Sequence, residues 1–269
     1  MGGTRSLVAG LIVWAGFNGA AAGMDVRVPI LVYHRFSPVA RDSMTIRTQD
    51  FEAQLRYIAD NGYTVISTRE LVDYRLGKAS PPPAHSVVIT ADDGHRSIYT
   101  QMRPIVLRYR VPVTLFIYPS AISNADYAMT WEQLRELQHT GWFDIQSHTY
   151  WHPDFRKERQ RLSTSEYRRF VAWQLSKARQ TIFQKLDRPV DILAWPFGIY
   201  DDDLGRQASE EGYVAAFTLE RRPAGASDNL LALPRYLMTS AVTGHEFARV
   251  LSTASRGDGD TRKNPGAED

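Results

Sequence analysis

The chain predicts an α/β fold, a distorted (β/α)7-8 barrel in a single domain, and three observations lead there. Short apolar runs alternate with amphipathic stretches from residue 29 to about residue 238, as happens when strands are buried on both faces and covered by helices. Seven or eight such units fit into about 230 residues. A length of 269 residues, 43% hydrophobic and 23% charged, supplies enough apolar matter for one large core. An open doubly wound sheet would produce the same alternation. In both architectures reactive side chains gather just past the carboxyl ends of the strands.

Ahead of the repeats, Arg5 precedes a charge-free run over 6–24 that passes through Leu-Val-Ala-Gly-Leu-Ile-Val-Trp into Gly-Ala-Ala-Ala-Gly. With Ala20-x-Ala22 at its end, this reads as a signal peptide over 1–23, the alternative being an N-terminal membrane anchor. Either reading exports the domain at 24–254 to a periplasm, cell envelope or extracellular space. Membrane contact is expected only if the segment stays uncleaved.

Strands are predicted at 29–33, 63–66, 86–90, 113–118, 143–147, 191–195, 213–219 and 235–238. Between them, Ser67 with Glu70 and Thr130 with Gln133 have capping-box spacing. Gly62, Gly77, Gly141 and Gly212 follow helical patterns where a left-handed terminator fits. The stretch from Ser163 to about Leu186 lines up Tyr167, Phe170, Val171, Leu175, Ala178 and Ile182 near one face, leaving its charges as a solvated outer surface. Pro81-Pro82-Pro83 is a stiff connector, and the polar tail over 255–269 is expected to be disordered.

Composition narrows the chemistry. No cysteine is present, so disulfides, thiolate nucleophiles and iron–sulfur clusters are excluded and any metal must sit on His, Asp or Glu. Lys+Arg 32 against Asp+Glu 30 is too balanced to make nucleic acid the expected partner.

The strand ends carry the candidates. Asp92-Asp93-Gly94 follows the strand at 86–90; one carboxylate could hold a metal while its neighbour faces water, or the tripeptide could simply cap a helix starting near His95. His148 and His152, four apart after the strand at 143–147, could converge on one ion or lie on the surface. Taken together at neighbouring strand ends, acids and histidines point more strongly to a metal than either does alone. Trp195-Pro196-Phe197-Gly198 could form a pocket wall or a packed turn, His34 sits past the first strand, and Arg235 opens the last strand, suited to pairing with a buried carboxylate.

Thr90-Ala91-Asp92-Asp93-Gly94 resembles the T-F-D-D-G motif of the polysaccharide deacetylases (the NodB homology domain, carbohydrate esterase family 4), with Ala91 for the usual Phe. His148-Thr149-Tyr150-Trp151-His152 matches that family's H-[ST]-x-x-H. The resemblance runs from about Pro29 to Met238. It implies Asp92 as general base and Asp93, His148 and His152 as ligands of a divalent ion, zinc or another first-row metal. It also implies an acetylated polysaccharide as substrate and a backbone N–H near Phe197 for the oxyanion. Two departures stand out: the arginine of R-x-P-[YF]-G is absent before Pro196-Phe197-Gly198, and L-x-x-H-D has no match. Leu31-Val32-Tyr33-His34 and Leu233-Pro234-Arg235 are most similar to the exported poly-β-1,6-N-acetylglucosamine de-N-acetylases, whose permuted motif order implies His34 as the acid and Arg235 as the partner of Asp92. Other components of a polysaccharide export system are then possible partners. Tyr150, Trp195, Pro196 and Phe197 are expected to line the substrate site. The alternatives are another acetylated glycan (peptidoglycan, chitin oligomers, acetylxylan), a catalytically weak polysaccharide-binding barrel, and a glycosidase using paired carboxylates, against which the histidine pair argues.

Overall fold

A computed structural model describes residues 26–253; the leader over 1–23 and the tail over 255–269 lie outside the described residues. Within them the chain forms β1 (Ile30–Tyr33), β2 (Arg35–Ser37), β3 (Thr45–Arg47), α1 (Thr48–Asp60), β4 (Thr64–Ile66), α2 (Thr68–Arg75) and β5 (Ser86–Asp92). A π-helical turn (Ile98–Met102) runs into α3 (Arg103–Tyr109), followed by β6 (Val113–Ile117), α4 (Trp131–His139), β7 (Phe143–Ser147), α5 (Phe155–Arg161) and α6 (Thr164–Leu186). The last third holds β8 (Ile192–Ala194), α7 (Asp202–Glu210), β9 (Ala215–Phe217), β10 (Tyr236–Leu237) and α8 (Gly244–Ser252).

The main sheet runs β10-β1-β5-β6-β7-β8-β9, with β4 also against β5. Its strand pairings are parallel throughout. Leu233 bridges Phe217 of β9 while Leu31 pairs with Tyr236 of β10, so the segment 233–237 touches both edges and curls the sheet toward a barrel. That curl separates the fold from the open doubly wound alternative.

Side-chain alternation along each strand divides the core in two. Ile30, Val88, Phe116, Ile192, Ala194 and Phe217 pack together in one cluster with Leu233. Leu31, Val87, Ile89, Ala91, Leu115, Ile145 and Trp195 pack in the other with helix residues such as Leu134, Val171 and Leu175. The first cluster fills the inside of the curl and the second lies beneath the helices. All seven residues of β5 are buried, which accounts for its unbroken Ser-Val-Val-Ile-Thr-Ala run. Ala91 lies on the helix-covered side, so its departure from the usual Phe faces away from Asp92.

Helix limits follow their caps. Ser67–Glu70 and Thr130–Gln133 form reciprocal capping boxes as their spacing predicts, and Ser163–Glu166 forms a third at the start of α6. The small sheet of β2 and β3 has no counterpart in the sequence pattern. Each of its strands has three residues, too few to show a periodic apolar pattern.

Candidate active site

The strand ends of β5 and β7 form the site. Asp92 is the last residue of β5, paired in register with Phe116 of β6, and its side chain is buried. Asp93 then adopts φ 70 and Gly94 φ 71, a left-handed pair that turns the chain sharply. A Cβ on Gly94 would stand 2.9 Å from Ile122 Cδ1, which leaves glycine as the residue that fits. No helix starts at His95. The backbone of His95 instead bridges Ala128, and the π-helical turn begins at Ile98, so the acids do not act as a helix cap.

Beyond β7 the chain coils through Thr149 (φ 65) to His152 (φ 65). Thr149 Oγ1 accepts from the His152 N–H, Ser147 Oγ accepts from the Thr149 N–H, and buried Gln174 Oε1 accepts from both Tyr150 and Trp151 N–H at 3.1 and 3.0 Å. Gln174 carries site architecture that the motifs do not reveal. The readable sign was a glutamine on the otherwise apolar stripe of α6, three residues past Val171 and four before Ala178. Gln174→Leu removes the acceptor for two loop N–H groups and is expected to lower stability by about 1–3 kcal/mol. Thermal denaturation checks this, and an unchanged Tm would contradict it.

His148, His152 and Asp93 converge. One potential ligand atom from each lies within 4.8 Å of the others. His148 Nε2 is 3.7 Å and His152 Nε2 3.6 Å from Asp93 Oδ1. The His148 Nδ1–H donates to the Ala194 carbonyl at 2.7 Å, which fixes the ring and leaves Nε2 free to ligate. Burial lowers the His148 pKa to about 3 and also lowers that of His152, so both rings are neutral donors at pH 7. Asp93 Oδ1 is buried with no hydrogen-bond partner, and burial raises its carboxyl pKa. A buried, unpaired carboxylate oxygen facing two neutral imidazoles is the donor set a first-row divalent cation takes.

Asp92 is held otherwise. Arg235, fully buried, donates from Nη1 to Oδ1 at 2.8 Å and from Nη2 to Oδ2 at 2.7 Å. Its Nε donates to the Thr218 carbonyl at 3.1 Å and Nη1 also to Thr90 Oγ1 at 3.2 Å. The guanidinium lies over the rings of Phe116 and Phe217, at 5.5 and 5.8 Å from their centroids, at the mouth of the apolar interior. Burial alone would raise the Asp92 pKa, but the charge and hydrogen bonds of Arg235, with the fields of His148 and His34, together outweigh it and bring it to about 2. Asp92 is therefore an anion across the physiological range. Its Oδ2 lies 3.8 Å from His148 Nε2.

His34, between β1 and β2, is 9% exposed, and its Nδ1 is buried without a partner. It stands in the field of the same groups: burial lowers its pKa, Asp92 and Asp93 pull it up, and Arg235 and His152 push it down. The fold thus gathers His34, Asp92, Asp93, His148, His152 and Arg235 at one end of the barrel.

The aromatic expectations divide. Phe197 (φ 57) is 60% exposed with its ring 4.6 Å from that of His152, so it borders the site. Trp195 does not line the substrate site. It is fully buried, its indole N–H donates to the Leu231 carbonyl at 2.9 Å, and it packs on Phe155 and Tyr200. With Leu193 it points under the helices while Ala194 points inward, so it offers no face to a ligand. Pro196 is likewise buried and shapes the turn instead of lining a pocket. Tyr150 is half-buried with its ring against Trp173. The motifs also left out Tyr118, the first residue after β6, whose ring lies 5.3 Å from that of His152 and whose hydroxyl is 2.5 Å from that of Tyr127.

The profile of the polysaccharide deacetylase family matches residues 79–216, just over half of the chain, and the chain belongs to that family. It is a deacetylase hydrolase, and an acetylated polysaccharide is the substrate the family implies. The matched span contains Asp92, Asp93, His148 and His152 and leaves out His34 and Arg235. The poly-β-1,6-N-acetyl-D-glucosamine N-deacetylase of Escherichia coli (strain K12) is 25% identical over 256 aligned residues, covering 82% of this chain but 38% of that protein. The Staphylococcus aureus (strain MRSA252) enzyme of the same name is 22% identical over 209 residues, 76% of this chain and 71% of its own. The structure of the Streptococcus pyogenes deacetylase PplD in complex with acetate shares the fold, with a TM-score of 0.75 at 21% identity over 85% of this chain and 99% of that one.

Proposed function

We propose that this chain is an exported, metal-dependent deacetylase that removes N-acetyl groups from poly-β-1,6-N-acetylglucosamine and releases acetate. The observation that carries the chemistry is the convergence of Asp93, His148 and His152 beside an Asp92 held by Arg235. The choice of polymer is supported by the names of the Escherichia coli and Staphylococcus aureus relatives, and the resemblance to the permuted subgroup is in keeping with Arg235 on Asp92 and His34 in the field of the same carboxylate.

Asp93, His148 and His152 would hold the ion, with zinc the expected metal. When bound, such an ion acts as a Lewis acid that polarises the acetyl carbonyl and makes a water molecule easier to deprotonate. Asp92 takes the proton of the attacking water. Both of its oxygens are tied to Arg235, but each retains a second acceptor direction. Arg235 keeps Asp92 ionised and fixes its orientation. The turn at 196–198 supplies the expected backbone N–H for the oxyanion. His34 protonates the departing nitrogen. Burial lowers its pKa, so the resting ring is neutral and takes up a proton before giving it to the more basic amine.

Acetate release from poly-β-1,6-N-acetylglucosamine, chitin oligomers, peptidoglycan and acetylxylan, with and without chelator, tests the reading. The β-1,6-linked polymer should be the best substrate, and chelation should abolish its turnover. A preference for another glycan removes the polymer assignment, and full activity after metal is stripped removes the metal. His34→Ala is expected to lower kcat by about 10²–10⁴-fold with metal content retained. An unchanged kcat would require a different acid.

A further inference from the structure

Large aromatic surface left bare beside a reactive site marks a contact surface. Trp151 and Trp173 are 47% and 45% exposed, with ring centroids 6.2 Å apart and planes at 71°. The Tyr150 ring stands 5.0 Å from Trp173 at 73°, and Phe170 backs Trp151 at 5.6 Å. Together they form an aromatic corner, and Trp151 directly precedes His152. The corner is also held in place. Gln174, next to Trp173 on α6, reaches inward to accept the N–H groups of Tyr150 and Trp151, so one helical dipeptide ties down the metal-site loop with one side chain and presents a ring to solvent with the other.

We infer that Trp151, Trp173 and Tyr150 form a stacking subsite for a pyranose ring of the acetylated polymer, the ring of a unit neighbouring the one being deacetylated. This rests on the polysaccharide reading above and adds to it a place where chain length is sensed. A β-linked hexosamine has an apolar face of axial C–H groups and a polar rim. Two indoles near right angles offer such a ring one face to lie on and one edge to abut, while the hydroxyl and acetamido groups stay in water. Because the corner adjoins the loop that carries His148 and His152, a chain whose reacting unit sits at the metal cluster can extend onto it.

The test compares wild type, Trp173→Ala and Trp173→Tyr on β-1,6-linked N-acetylglucosamine dimer and pentamer, by acetate release and by quenching of tryptophan fluorescence. Trp173→Ala is expected to lower the pentamer-to-dimer ratio of kcat/KM by about five- to tenfold, through KM on the pentamer, with Trp173→Tyr recovering most of it. An unchanged ratio in Trp173→Ala overturns the subsite and leaves the deacetylase reading intact. Should the wild type release no acetate from either oligomer, the enzymatic reading fails separately and fluorescence decides. Pentamer quenching that disappears in Trp173→Ala sustains the subsite, and no quenching in the wild type overturns it. A change of oligomeric state in Trp173→Ala, with the ratio unaltered, would assign the corner to self-association instead.

Discussion

Asp92→Asn is expected to lower kcat for acetate release by about 10²–10⁴-fold while the protein still takes up metal. The reason is local. Asp92 is 2% exposed and ionised because Arg235, together with His148 and His34, outweighs the cost of its burial, so at neutral pH it is a proton acceptor already in place. An amide of the same shape cannot take the proton of the attacking water. The substitution leaves Asp93, His148 and His152 unchanged and so separates base from ligand. Initial rates of acetate release, read together with metal content, check it. An asparagine variant as fast as wild type would show that another group takes the proton.

The second large effect is on stability. Arg235→Met is expected to lower it by about 3–5 kcal/mol, or Tm by about 6–20 °C. Arg235 is fully buried and satisfies Asp92, Thr90 and the Thr218 carbonyl at once. Removing it strands a carboxylate inside the barrel, and an unpaired buried charge costs far more than the pair contributes when intact. The double substitution Asp92→Leu with Arg235→Met removes both charges and should recover most of the lost stability with no recovery of activity. Thermal denaturation of the wild type and these two variants decides. A single Arg235→Met variant as stable as wild type would mean that water or another cation reaches Asp92.

Much of this arrangement could be read in the sequence, because buried parallel strands announce themselves as apolar runs and reactive groups sit directly after them. The run over 143–147 matches β7 at both ends. The run over 86–90 continues two residues further, since Ala91 still pairs with Tyr33 and Asp92 with Phe116. Asp93, His148 and His152 meet as their shared position at strand ends suggested. What the sequence concealed was direction. Trp195 stands in the motif that resembles a pocket wall, yet strand alternation sends it under the helices. The backbone turns that aim Asp93, His152 and Phe197 have positive φ at residues that seldom adopt it, and no local pattern encodes them. Gln174 and Trp173 were hidden because the long amphipathic helix reads as scaffold, and their contact with the loop after β7 spans more than twenty residues of chain.

Asp93, His148 and His152 are expected to grip one cation. Calorimetric titration of zinc into chelator-treated protein, with Asp93→Ala and His152→Ala variants alongside, tests it most directly. One tight equivalent in the wild type, lost in both variants while their folding is retained, is the predicted result. Equal zinc uptake by wild type and variants would place the metal elsewhere and contradict the account.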